Sequence, residues 1–148
     1  MSSAKKLPYE STLLVRDRCL CLHVQRAARA LARRFDEELR PFSLTNGQFS
    51  LLVSLNRPEP PPMGPVAALL AMDRTTLTAA LKPLERRRLV KVSRDPSDRR
   101  SRILILTDKG RELLARAFPV WEAAHDELES HVPDIEWHTL RNSLRALC

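Results

Sequence analysis

Between residues 10 and 40 the chain has no proline and no glycine, and its apolar residues fall on one stripe. Leu13, Leu20, Val24, Ala27, Leu31, Phe35 and Leu39 recur mostly three or four positions apart. That period puts them on one face of a single long helix, which Pro41 ends. A rod of about thirty residues spans roughly 45 Å. A domain this small needs less to cover its own core, so a second subunit is expected against the helix. Thr45 and Gln48 then have capping-box spacing. Phe49, Leu52, Val53 and Leu55 follow as a short buried helix. Residues 57–65 hold five prolines, which makes a stiff connector.

The next 25 residues read as two short helices joined by a tight turn. The first covers residues 64–71, with Pro65 in a first-turn position. The second runs from 74 to about 88, capped by Asp73, and buries Leu77, Leu81 and Leu84. This is a helix-turn-helix. The period then switches to two over residues 89–93, with Val90 and Val92 on one face. A polar turn starting at Asp95-Pro96 carries Arg99 and Arg100, and residues 102–106 return as a second strand. The product is a β-hairpin with a basic tip, a wing. Thr107 caps a last long helix with Leu113, Leu114, Ala117, Trp121, Ala124 and Leu128 on its stripe; Pro119 is expected to kink it, and Pro133 ends it. Residues 134–147 form a closing amphipathic helix. The fold class is therefore all-α with a small β-hairpin wing: a winged helix-turn-helix flanked by N- and C-terminal helices.

Charge sharpens this picture. Of the net +7, residues 73–111 carry 12 Lys/Arg against 5 Asp/Glu, and residues 112–148 carry 3 against 7. A basic patch on a compact segment marks a polyanion partner. The chain has only 3 Gly and 7 aromatic residues in 148, poor material for an all-β fold or a glycine-rich nucleotide cradle. Cys19, Cys21 and Cys148 are an odd number with no CxxC pair, which speaks against a disulfide scaffold and a zinc site. No apolar run is long enough to span a membrane, and the first residues do not read as a signal peptide, so the expected place is the cytoplasm. No HExxH, GxSxG or P-loop occurs. The expectation is a non-enzyme with no cofactor and no metal.

The segments DRTTLTAALKPLERRRLV (73–90), DPSDRRSR (95–102) and LTDKG (106–110) carry a resemblance. Thr75, Thr76, Leu84, Glu85, Leu89, Asp98, Arg100, Leu106, Thr107 and Gly110 fall in register with the MarR family of bacterial regulators, and the resemblance covers essentially the whole chain. It implies a single MarR-type domain over 1–148, with a DNA-binding lobe at about 45–107 and dimerisation helices at about 10–40 and 107–147. It also implies a homodimer bound to double-stranded DNA at a palindromic operator, acting as a repressor released by a small molecule or by thiol oxidation. Two positions depart from the pattern. Arg88 stands where the family often has Gly, and Pro83 lies inside the recognition helix.

Candidate DNA-binding residues follow from both lines. Arg74, Thr75, Thr76, Thr78 and Lys82 lie off the buried stripe and face outward, as side chains reading base edges must. Thr76 also sits at capping distance from Asp73. Arg86, Arg87, Lys91, Arg94 and Arg102 suit phosphates, which set affinity and salt dependence. At the wing tip are Arg99 and Arg100; the resemblance makes Arg100 the residue inserted in the minor groove and Asp98 its ion-pair orienter. The competing assignment for this surface is a non-specific architectural DNA-binding protein. As candidate redox sensors there are Cys21, which matches the reactive cysteine of the family's hydroperoxide-sensing branch, and its neighbour Cys19. Gln25 and Asn46 stand where that branch has tyrosines, and the alternative for either thiol is a small buried apolar residue. On a continuous helix, positions 19 and 21 face apart, which disfavours a disulfide between them. A second switch candidate is a cluster of His23, Phe49, Trp121 and His125, suited to an aromatic carboxylate.

Overall fold

The computed structural model describes residues 6–148. The chain divides into two compact units, Met1–Arg34 and Phe35–Cys148. In the first, α1 (Tyr9–Arg18) is followed by the start of α2 (Leu20–Leu39). The expected single helix over 10–40 is therefore divided. Cys19 is extended (φ −69°, ψ 103°) and caps α2. Its Sγ accepts the Leu22 N–H at 3.4 Å and its carbonyl accepts the His23 N–H at 3.2 Å. The thiol takes the place that a Ser, Thr, Asp or Asn oxygen usually fills at a helix start. Sequence reading looks for those oxygens, so the break was not legible. Neither α1 nor the first fifteen residues of α2 contains a buried residue.

The second unit holds the core. A short 3-10 turn, Arg40–Phe42, leads to α3 (Asn46–Ser54), where Thr45 and Gln48 form the expected capping box. α4 (Met63–Leu69) and α5 (Arg74–Arg86) make the helix-turn-helix, and Asp73 Oδ1 accepts the Thr76 N–H at 2.7 Å. β1 (Val90–Arg94) pairs antiparallel with β2 (Arg102–Leu106), in a register that sets Val90 against Leu106 and Val92 against Leu104. The long helix α6 (Asp108–His131) starts at the Thr107 cap and includes Pro119; α7 (Trp137–Arg145) follows, shorter than the expected 134–147. Trp137 Nε1 donates to the Glu129 carbonyl, and Arg141 pairs with Glu129, which seats α7 on the end of α6.

Leucines from every layer meet in one core. Leu39, Leu52, Leu77, Leu84 and Leu104 are fully buried, and Leu113, Leu114 and Ala117 close it from α6. The proline connector has a role that its composition concealed. Leu104 N–H donates to the Pro61 carbonyl at 2.9 Å and Pro62 bridges Ile103, so the connector lines the outer edge of β2. A proline donates nothing to a sheet, which suits it to an edge.

With few glycines, the chain closes three turns on other residues. Ser43 (φ 52°), Ala71 (φ 51°) and Arg88 (φ 58°) are left-handed. Each ends a helical segment with the paired 6→1 and 5→2 bonds of a Schellman turn, as in Leu89 N–H to Leu84 O and Arg88 N–H to Glu85 O, both 2.9 Å. Arg88 thus holds the conformation for which glycine is preferred.

Candidate nucleic-acid interface

On α5 the buried leucines at 77, 81 and 84 leave one face outward. Arg74, Thr75, Thr76, Thr78, Lys82 and Arg86 are all exposed on this helix. The helix start is firmly built. The Asp73 carboxyl is held below the usual carboxylate range by the Thr76 N–H first and the Thr76 side chain second, so Thr76 serves the cap as well as the surface. Thr78 Oγ1 donates to the Arg74 carbonyl at 2.7 Å, which leaves its methyl as the freer recognition group.

The wing is a closed set of turns. Asp95 Oδ1 accepts both the N–H (2.9 Å) and the hydroxyl (2.7 Å) of Ser97, which lower the Asp95 pKa. Ser101 N–H donates to Asp98 O, and Asp95 N–H to Ser101 O. Asp98 Oδ1 accepts the Arg100 backbone N–H at 2.9 Å. The expected Asp98–Arg100 ion pair is not among the contacts of the described residues. Asp98 orients Arg100 through its backbone and leaves the guanidinium unengaged by that carboxylate. Arg99 and Arg100 are exposed at the tip. Arg94 and Arg102 are exposed and directly opposed across the strands. Like charges facing each other across a ladder are unfavourable alone and favourable beside an anion.

Arg87 is placed differently from the expected phosphate contact. Its guanidinium donates to the Ser43 carbonyl at 2.5 Å and the Phe42 carbonyl at 3.1 Å. Lys109, which sequence reasoning did not single out, donates to the Arg87 carbonyl at 3.0 Å. Neither partner was legible beforehand, because the contacts span 22 to 45 residues.

Away from this surface, α3 and α6 carry an aromatic cluster. Phe49 stacks on Trp121 (5.7 Å between centroids), Trp121 meets His125 at 4.2 Å, and His125 meets Phe35 at 4.3 Å. His23 belongs to the first unit, where its Nδ1 lies 2.8 Å from the Cys19 carbonyl. Among the clefts on the second unit, two border α3 and α6. One of about 350 Å³ includes Phe49, Val53, Leu69 and Trp121. The other, about 580 Å³, includes Val53, Asn56, Arg111, Leu114 and Phe118. Burial is the main cause that lowers the His125 pKa, aided by the Arg141 charge and opposed by the Trp121 carbonyl and Asp126. The folded protein therefore holds this ring neutral more strongly than the unfolded chain does. Its contribution to stability is full above the ordinary value of 6.5 and is lost as the pH falls from there through the lower folded value. Urea melts at pH 7.5 and 5.0 are expected to show this loss, and His125→Phe to shrink it; an unchanged pH dependence in the variant would assign it to other groups.

Residues 44–101 match the MarR family. The chain belongs to the MarR family. Over 97 residues it is 37% identical to the HTH-type transcriptional regulator TtmR of Methylorubrum extorquens, covering 66% of this chain and spanning half the length of that relative. The transcriptional regulator MosR of M. tuberculosis, solved in complex with DNA, is 35% identical and superposes with a TM-score of 0.79 over 88% of this chain and 93% of that one. The transcriptional repressor CouR, bound to a 23-mer DNA duplex, is 33% identical with a TM-score of 0.69, covering 98% of this chain and 96% of CouR; CouR of Rhodococcus jostii RHA1 has also been solved with p-coumaroyl-CoA. MarR chains are winged-helix transcriptional regulators, and the helix-turn-helix and wing described above are the elements of that fold in this chain. Among the described residues no helix is long and apolar enough to cross a membrane.

Proposed function

We propose that this protein is a homodimeric repressor that binds a palindromic operator and lets go of it when a small molecule or an oxidant acts on it. One observation carries the reading: the outward face of α5 and the arginine-tipped wing expose Arg74, Thr75, Thr76, Thr78, Lys82, Arg86, Arg94, Arg99, Arg100 and Arg102 on the DNA-binding elements of the fold. α5 enters the major groove, Arg100 the minor groove, and Arg86, Arg94 and Arg102 hold phosphates. The dimer accounts for apolar surface that a single chain leaves bare. Leu14, Val15, Leu20, Val24 and Leu31 in α1 and α2, and Leu140, Leu144 and Leu147 at the C-terminal end, are all exposed. On this reading the helices at about 10–40 and 107–147 are the dimerisation elements and residues at about 45–107 are the DNA-binding lobe. Repression requires only occupancy of the operator. Its place is the cytoplasm, where the DNA is.

Two release routes have support. The clefts between α3 and α6 have the size of small-ligand sites. Their apolar walls and the Arg111 guanidinium, hydrogen-bonded to Asn56 Oδ1 at 3.2 Å, suit an aromatic carboxylate or its thioester. The second route is oxidation. Cys21 is exposed in the single chain, and Gln25 Nε2 lies 4.0 Å from its Sγ. Cys19 lies outside the helix and holds its first turn, so the continuous-helix objection to joining the two thiols falls away. A hydroperoxide would take two electrons from Cys21, leaving a sulfenic acid and an alcohol. Cys21→Ser is expected to bind DNA normally when reduced and to lose any peroxide response in gel shifts; a variant that still responds would exclude Cys21.

The first test is a gel-shift titration of reduced protein on the DNA upstream of its own gene against a scrambled fragment, at about 150 mM salt. Preference by about a thousandfold is expected of a specific regulator. Equal affinity for both fragments, falling equally with salt, would favour the architectural reading.

A further inference from the structure

We propose that Lys109, seconded by Thr107, is a positioning residue for the recognition helix: it fixes where α5 ends and so determines sequence selectivity, without touching DNA. The inference rests on the reading that α5 enters the groove. A helix leaves its last carbonyls without intrahelical partners. At the C-cap of α5 and just past it, the carbonyls of Arg87, Arg88 and Leu89 find partners at the start of α6. The Arg87 carbonyl accepts from Lys109 Nζ at 3.0 Å. The Arg88 carbonyl accepts from Thr107 Oγ1 at 2.7 Å. The Leu89 carbonyl accepts the Thr107 N–H at 3.1 Å, with the same hydroxyl at 3.0 Å. Thr107 Oγ1 in turn accepts the Gly110 N–H, so the clasp is part of the α6 cap.

Two features make the clasp necessary here. Arg88 occupies a left-handed position (φ 58°) that a side chain disfavours, so the closing turn of α5 is weak by itself. The ammonium of Lys109 also lies where the helix presents its negative end. Its charge is committed to a helix terminus, as that of Arg87 is committed to the Phe42 and Ser43 carbonyls at the end of the 3-10 turn.

A lever argument links the clasp to selectivity. α5 has 13 residues, Arg74–Arg86, about 20 Å. A tilt of about 10° pivoting at its end moves Arg74 and Thr75 by about 3 Å, several times what a hydrogen bond to a base tolerates. Long arginines on phosphates would follow such a shift, so loss of the clasp weakens specific binding and spares non-specific binding.

The experiment uses the full-length protein and a duplex that it selects from random-sequence DNA. Affinities for that duplex and for a scrambled one are measured over a salt series. Lys109→Met is expected to lose about tenfold on the selected duplex, to keep its affinity for the scrambled one, and to keep the slope of log K against log salt. Lys109→Arg is expected to restore most of the loss. Arg94→Met, a phosphate contact, is expected to weaken both duplexes and to reduce the slope by about one. If Lys109→Met behaves like Arg94→Met, Lys109 touches phosphate and the proposal is overturned. A second readout needs no DNA: hydrogen exchange at the amides of Arg87, Arg88 and Leu89 is expected to accelerate in Lys109→Met, and unchanged protection would overturn the clasp itself. Failure of the wild type to select any duplex would sink the regulator reading and, with it, the selectivity role, while the exchange data would still decide the clasp.

Discussion

Gly110→Ala is expected to destabilise the protein by about 3 kcal/mol, seen as a fall in melting temperature of roughly 10 °C for a chain of this size. The reason is a contact that no rotamer change relieves. A Cβ on Gly110 would lie 2.3 Å from the Leu89 carbonyl oxygen and 2.7 Å from Leu106 Cδ1. The first is backbone, held by the Thr107 N–H, and Leu106 is buried beneath the wing. The chain must separate the start of α6 from the end of α5 to make room. Gly47 and Gly64 have no such neighbour: their nearest atoms to an added Cβ are side-chain atoms at 3.9 and 3.8 Å. Gly47→Ala is therefore the matched control, with little change in melting. Equal melting temperatures for Gly110→Ala and the wild type would show that the α5–α6 junction is looser than this packing.

The second large effect is on DNA. Arg100→Ala is expected to weaken binding to the preferred duplex about thirtyfold, the scale of one charged hydrogen-bonding contact, with the melting curve unchanged. The tip keeps its shape because the turns that build it use backbone groups and the side chains of Asp95, Ser97 and Asp98. An arginine in a narrow minor groove gains from the enhanced negative potential there. Arg57→Ala is the control. Its Nε is committed to the Ser54 carbonyl at 2.9 Å, at the end of α3, and its removal is expected to change DNA affinity little. If both variants lose affinity alike, the wing does not have the role proposed.

At Asp98 the observed contact differs from the expected one. The family resemblance implied an ion pair with Arg100. The structure puts its carboxylate on the Arg100 backbone N–H, two residues on. Asp does this readily in turns, since its short side chain reaches the nearby N–H without any cost in reach. Arg87, one of a run of basic residues expected at phosphates, holds the carbonyls of residues 42 and 43. Sequence shows that an arginine is available; only its neighbours in space decide what it binds.

What was legible by itself was whatever depends on near neighbours along the chain. Helical and strand periods, the Thr45, Asp73 and Thr107 caps, the hairpin turn at Asp95-Pro96 and the basic middle segment are all fixed by residues within a few positions of each other, and so was the likeness to the MarR family. The tertiary structure alone decided three things: that the proline connector lines β2, that a thiol caps α2 at Cys19, and that Lys109 and Thr107 clasp the end of α5. The connector and the clasp join groups far apart in sequence, and the capping thiol is local but unusual for its residue type. Backbone groups left over by local structure must find partners wherever packing brings them, and no periodicity records that choice.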